Sequence, residues 1–174
     1  MSIVCRRLRR TPVSTLSSSS EASEVYKRQL LELVDGEQLP VGDWITITQD
    51  DINQFANATN DHQWIHIDPT RCEKESPFAT TIAHGYLTVT LMPNSLYQSI
   101  QPDPSYPSLL NYGVDKIRFI EPVRVNDKIR FISTLLKTEQ KSSGKLFYFE
   151  TTAEIDDRSK PAMKGVFLTL LVGA

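Results

Sequence analysis

Cysteine is scarce in this sequence. Two thiols, Cys5 and Cys72, stand in 174 residues. They lie far apart, with no neighbour at metal-ligand spacing, which argues against a disulfide framework and a zinc site and favours a reducing compartment such as the cytoplasm. A long apolar run is missing too. The best stretch, residues 82–100, is broken by His84, Thr88, Thr90, Pro93, Asn94 and Gln98, whereas a membrane span needs about 20 mainly apolar residues. It reads as the buried helix of a soluble protein, with no membrane partner. Nor is there surplus positive charge. Lys and Arg number 19 against 21 Asp and Glu, a formal net charge of -2, and nothing global points to nucleic acid.

What is present suits one domain. The chain is 40% hydrophobic and 23% charged, and a domain of about 150 residues buries roughly 68–70% of its unfolded surface. Residues 1–28 differ from the rest. Arg6, Arg7, Arg9, Arg10, Lys27 and Arg28 against Glu21 and Glu24 give that segment a net +4, leaving -6 for residues 29–174, which together restore -2. The arginines and the run Ser17 to Ser20 resemble an organellar transit peptide. A disordered tail fits equally, as does foreign sequence, because residues 25–29 read like a translated sequencing adaptor. Residues 1–28 are therefore set aside as a non-structural tail, and residues 29–174 are taken as the domain. An organellar location follows only if the tail is a genuine transit peptide.

Within the domain, Trp44 to Thr48 is a short β-prone run after a turn signal. Thr48 then opens T-Q-D-D, a capping-box pattern in which Thr48 accepts from the Asp51 amide. Ile52, Phe55, Ala56 and Thr59 share one face of the helix that follows. Asp50 and Asp51 are read as capping residues. Pro69 biases Asp68 away from helical angles, so residues 60–69 are expected to be irregular, with a short helix over 69–74 led by its proline. A long helix is expected over about 82–99, kinked at Pro93. Residues 111–120, 128–138, 146–155 and 164–172 are rich in Val, Ile, Phe, Tyr and Thr and separated by turn chemistry. A meander after one long helix implies an α+β domain with an antiparallel sheet wrapped around that helix.

Asp61 and His66 are five residues apart. That is about 140° of rotation on a helix, and opposite faces on a strand. Only an irregular turn brings them together, and Pro69 places one there. A carboxylate and an imidazole sharing a water make an acid–base device, since histidine titrates near neutrality. On spacing alone, a surface or structural contact is the commoner meaning of such a pair.

The segment Asp61-His62-Gln63-Trp64-Ile65-His66-Ile67-Asp68 resembles the D-x-N-P-x-H stretch of MaoC-like dehydratases and R-specific enoyl-CoA hydratases. About fifteen residues on, Ile82-Ala83-His84-Gly85-Tyr86-Leu87 is similar to that family's [V/I]-x-H-G-x-L motif. Tyr112 to Phe119 with Pro122-Val123 resembles the strand and turn beyond its central helix. The resemblance runs from about Leu39 to Val172. It departs at Gln63-Trp64, where the family has Asn-Pro, and this variant looks like the NodN-type subgroup, which puts substrate identity in doubt rather than reaction type.

The resemblance implies a hotdog fold and interconversion of a trans-2-enoyl thioester with an (R)-3-hydroxyacyl thioester of coenzyme A or acyl carrier protein. It also implies a homodimer, without metal or cofactor. It casts Asp61 and His66 as the pair that activates water. The Gly85 N–H, at the amino end of the central helix, would face the thioester oxygen, though this glycine also suits tight packing. Trp64, His84, Tyr86 and Thr90 are candidate substrate-binding residues; packing competes for Trp64 and Tyr86, and a structural role for His84. His62 is read as a bystander. Lys116, Arg118, Arg124 and Lys128 are either phosphate contacts or a solvated face. A hotdog thioesterase is the nearest alternative, but its carboxylate usually lies on the central helix, and residues 86–99 hold no Asp or Glu. A non-catalytic acyl-thioester-binding module is the other.

Overall fold

The structure is a computed structural model and describes residues 28–101, 104–106 and 108–174. The expectation for residues 1–28 falls outside these residues, Arg28 excepted. Strand β1, Arg28–Gln29, pairs in parallel with β3, Ile100–Gln101, and is followed by a 3-10 turn over Leu30–Glu32. Neither short element carries a pattern that sequence reading could detect.

Strand β2 is Ile45–Thr46. Helix α1, Gln49–Thr59, begins in a complete capping box. The Asp51 amide donates to Thr48 Oγ1 at 3.2 Å and the Thr48 amide to Asp51 Oδ2 at 2.9 Å, so two otherwise orphaned donors are satisfied as expected. The helix stops at Asn60, whose φ of 61° and ψ of 22° are left-handed, a conformation asparagine tolerates better than most residues.

The next stretch is more regular than expected. Residues 64–67 form one helical turn, α2 (Trp64–Ile67), although no periodicity marks it. Tertiary bonds hold it: Gln49 Nε2 donates to the His66 carbonyl at 2.8 Å, and the buried Cys72 thiol lies 3.5 and 3.6 Å from the Ile65 and Trp64 carbonyls. Helix α3, Pro69–Glu75, has proline in its first turn and Asp68 as N-cap, accepting from the Arg71 amide at 2.9 Å.

The long helix α4 is Gly85–Ser99, with Pro93 inside it. It starts three residues later than expected, because the preceding residues are occupied by extended pairing. Ile82 N–H donates to the Ile65 carbonyl, Ala83 N–H to Val123, and Val125 N–H to Thr81. Strands β4 (Leu109–Phe119), β5 (Lys128–Lys141), β6 (Gly144–Ile155) and β7 (Met163–Val172) follow. The five-stranded sheet runs β2-β5-β6-β7-β4, antiparallel at every pairing. Gly144, at φ 146°, turns β5 into β6 where any Cβ would overlap the Leu171 carbonyl oxygen.

Leu87, Met92 and Leu96 of α4 share one buried cluster with Phe131, Leu135, Phe147, Phe149 and Phe167 of the sheet. Alternation puts those sheet residues on the face toward α4. Each large side chain so buried contributes about 1.5–3 kcal/mol. The core thus fixes α4 on the sheet and aims its amino end toward residues 61–66.

Candidate active site

Residue His66 sits on α2, one turn of helix that its neighbours clamp. Its side chain is 7% exposed, and Nδ1 lies 2.7 Å from the Ile82 carbonyl. A carbonyl only accepts, so Nδ1 carries the proton and Nε2 keeps its lone pair. Burial is the main influence on this imidazole, holding it below the usual value of about 6.5. The adjacent His84 acts in the same direction, and the Ile82 carbonyl and Asp61 oppose it. Near neutral pH this describes a neutral imidazole with a free basic nitrogen.

Residue Asp61 arrives from the other side of the Asn60 turn. Its side chain is 56% exposed, and Oδ1 receives a long 3.4 Å bond from the Gln63 amide. Ligand atoms of Asp61, His66 and His84 all lie within 4.8 Å of one another. Two hydrogen bonds of about 2.8 Å meeting at one oxygen span a comparable distance. A single water can therefore bridge the carboxylate and the imidazole.

Two histidines and a carboxylate could also be a cation's ligands. The rings of His66 and His84 are stacked, with centroids 3.7 Å apart and planes at 25°. Imidazole lone pairs lie in the ring plane, so stacked rings point them side by side rather than at one point. The cluster is better built for a proton than for a metal.

A cleft of about 350 Å³ opens beside His66, and Asp61 is not part of its wall. Its wall includes His66, Gly85, Tyr86, Thr88, Phe119 and Val123. Gly85 is the first residue of α4, and His84, its N-cap, makes no side-chain capping bond. Gly85 and Tyr86 line the cleft at the positive end of a fifteen-residue helix. A Cβ on Gly85 would come within 2.9 Å of the Phe119 ring, so this glycine also lets that ring close over the helix end. The close-packing reading of Gly85 has this contact behind it.

The expected substrate-binding residues divide. Tyr86 lines the cleft, 69% exposed and edge-on to Phe119 at 5.7 Å. His84 is buried behind His66 rather than in the wall. Trp64 and Thr90 are not brought to the cleft. Trp64 lies under the Arg71 guanidinium, 4.2 Å from its ring centroid. Thr90 donates to the Leu87 carbonyl of its own helix at 2.9 Å. Thr88 takes the inward position, and two residues on an α-helix turn the side chain by about 200°. Once Gly85 is known to start the helix, i+3 points to Thr88. His62, exposed, bonds Asn57 Oδ1 at 3.0 Å, consistent with a bystander.

Sequence reading also missed Phe119 and the Gln49–Thr81 pair. Thr81 Oγ1 donates to Gln49 Oε1, whose amide in turn holds the His66 carbonyl. A glutamine at the first position of an amphipathic helix gives no local sign of such a task.

Comparison with known proteins identifies the family and the fold. The MaoC-like domain family matches residues 34–157. 3-Hydroxyacyl-thioester dehydratase Z of Mycobacterium tuberculosis is 42% identical over 128 residues, covering 73% of this chain and 83% of that protein. Nodulation protein N of Rhizobium leguminosarum bv. viciae is 36% identical over 137 residues, 78% of this chain and 85% of that protein. The unliganded R-hydratase PhaJ1 from Pseudomonas aeruginosa superposes with a TM-score of 0.69 at 20% identity, over 85% of this chain and 88% of that one. The fold is the hotdog fold, and the chain belongs to the MaoC-like family.

Proposed function

We propose that this domain is a hydratase/dehydratase that interconverts a trans-2-enoyl thioester and an (R)-3-hydroxyacyl thioester, with Asp61 and His66 holding the water. The observation that carries the reading is the His66 imidazole, its Nδ1 engaged by the Ile82 carbonyl, with a ring nitrogen within 4.8 Å of the Asp61 carboxylate, next to the start of α4. The names of the dehydratase Z and R-hydratase relatives support the same reaction.

In the hydration direction the water oxygen adds to Cβ while the pair takes its proton. The pair then returns a proton to Cα from the same side, giving syn addition without a metal. Negative charge accumulates on the thioester oxygen as the enolate forms, and the Gly85 N–H with the helix dipole answers it. A donor aimed at such an oxygen contributes about 3–4 kcal/mol in the transition state. Tyr86, Thr88 and Phe119 would line the acyl chain, and the carrier is coenzyme A or acyl carrier protein.

A second copy of the chain completes the reading. Strand β4 is a sheet edge of 11 residues exposed on both faces, with Leu110, Tyr112, Val114 and Phe119 at 44–55%. Long apolar edges invite pairing. A two-fold homodimer through β4 would cover them and close the cleft near Phe119. Sedimentation at micromolar concentration should give twice the monomer mass.

The reaction is tested by hydration of crotonyl-, hexenoyl- and dodecenoyl-CoA with product chirality determined. Asp61→Asn and His66→Gln should each lower kcat by about 10²-fold or more with little change in KM. The double variant should be little worse than either, because both groups serve one water. Wild-type activity in both single variants contradicts the mechanism.

A further inference from the structure

We propose that His84 is a positioning residue that fixes both members of the pair; this rests on the hydratase reading above and adds a residue to it. His84 is 4% exposed and touches Asp61 and His66 at once. Its Nε2 lies 3.0 Å from the Asp61 backbone carbonyl and 3.9 Å from Asp61 Oδ2. The carbonyl accepts, so Nε2 carries the proton. One ring face lies on His66 at 3.7 Å, and Phe55 of α1 meets the ring at 5.1 Å, tilted by 51°.

That arrangement leaves His84 Nδ1 buried with no hydrogen-bond partner among the described residues. An unmatched buried acceptor is a cost that an apolar ring of similar shape avoids. The packing in this place needs a flat ring, which phenylalanine also supplies. What phenylalanine lacks is the N–H aimed at Asp61.

Asp61 has reason to need it. It follows a left-handed residue, its side chain is more than half exposed, and its own contacts are weak. The carboxylate is placed by its backbone, and the His84 donor ties that backbone to the core. Through the stack the same ring sets the plane of His66, whose Nδ1 bond to Ile82 fixes the other axis. A displacement of about 1 Å in such a constellation can cost on the order of 10²-fold in rate.

The test separates ring from donor. His84→Phe keeps the stacking face and removes the N–H. His84→Gln removes the ring but reaches the same carbonyl with an amide N–H. With crotonyl-CoA, His84→Phe should lose about 10-fold or more in kcat while KM stays within about twofold, and His84→Gln, which restores the donor but not the stack, should recover part of the loss. Full kcat in His84→Phe overturns the proposal, as does a glutamine variant no better than phenylalanine. Imidazole 15N shifts of the wild-type protein supply a readout that needs neither variant to fold. They should show His84 protonated at Nε2 with Nδ1 bare; the opposite tautomer overturns the assignment. Asp61→Asn and His66→Gln run in the same assay keep the two claims apart. If they retain activity, the hydratase mechanism fails, while the tautomer measurement still decides whether His84 holds Asp61.

Discussion

Between Lys128 and Val172 the backbone is paired almost residue for residue across β5, β6 and β7. Between Asn60 and His84 there are two short helices, α2 and α3, and the site residues are tied to the rest of the fold by single tertiary bonds. Gln49 holds the His66 carbonyl, Ile82 holds the His66 ring, and His84 holds the Asp61 carbonyl. The sheet is redundant, so losing one ladder bond leaves neighbours in place. The site segment has no such redundancy, and each side chain in it answers for one coordinate of the pair. Stability and catalysis should therefore fail separately when the two regions are mutated.

The largest effect expected is on the sheet side. Phe149 is fully buried against the cluster that carries α4. Phe149→Ala should cost about 3–5 kcal/mol of unfolding free energy. Denaturant titration should show it, with KM and kcat of the folded fraction close to wild type. A selective loss of kcat with unchanged stability would mean that core and site are not separable in this way.

On the other side, Asp61→Asn and His66→Gln should leave the melting temperature within a few degrees while kcat falls by about 10²-fold, equivalent to about 2.7 kcal/mol of barrier. Asp61 is exposed, and glutamine preserves much of the His66 shape, so neither change opens a cavity. Calorimetry beside the hydration assay checks this. A melting temperature that collapses with kcat would show that the pair also supports the fold.

The same contrast explains what sequence reading could see. The strands, the Thr48 capping box, Pro69 and the long helix announce themselves through local pattern, because their backbone partners are set by period and by cap chemistry. Asp61 and His66 were visible as residue types at a spacing no regular element explains. The one-turn helix over residues 64–67 was not visible, since its supports, Gln49 and Cys72, act from other elements. Neither was the start of α4 at Gly85, because Ile82 and Ala83 are claimed by Ile65 and Val123. Thr88 was missed in favour of Thr90, which lies one turn beyond the exposed Tyr86 and so on a different face from the buried Thr88. Phe119 reaches the cleft from the far end of β4, and nothing local to either motif predicts that contact.

Gln49 tests how far a supporting residue counts. Gln49→Leu strands the His66 carbonyl and the fully buried Thr81 hydroxyl, at about 1–3 kcal/mol of stability, and should lower kcat by about 10-fold. Gln49→Glu keeps an acceptor for Thr81 but offers no donor to His66. It should recover stability more than it recovers kcat. If it recovers both equally, the bond to His66 does not govern the pair.

The smallest effect is on stability against pH, and it comes from the site rather than the sheet. Burial keeps the His66 imidazole below its unfolded value, so the folded state takes up the proton less readily than the unfolded one. The stability this group contributes is complete above about pH 6.5 and declines as pH falls through that value toward the folded pKa. One proton sets the limit of the slope, about 1.4 kcal/mol per pH unit. Asp61 and His84 face His66 and are retained in His66→Gln, as is His62, so the difference between the two isolates His66. Unfolding free energies should fall more steeply with acid for wild type than for His66→Gln between about pH 7 and 5 and run parallel above that range. Parallel curves throughout would mean that His66 is solvated in solution, and a solvated imidazole would not keep the neutral, preoriented Nε2 that the proposed water activation requires.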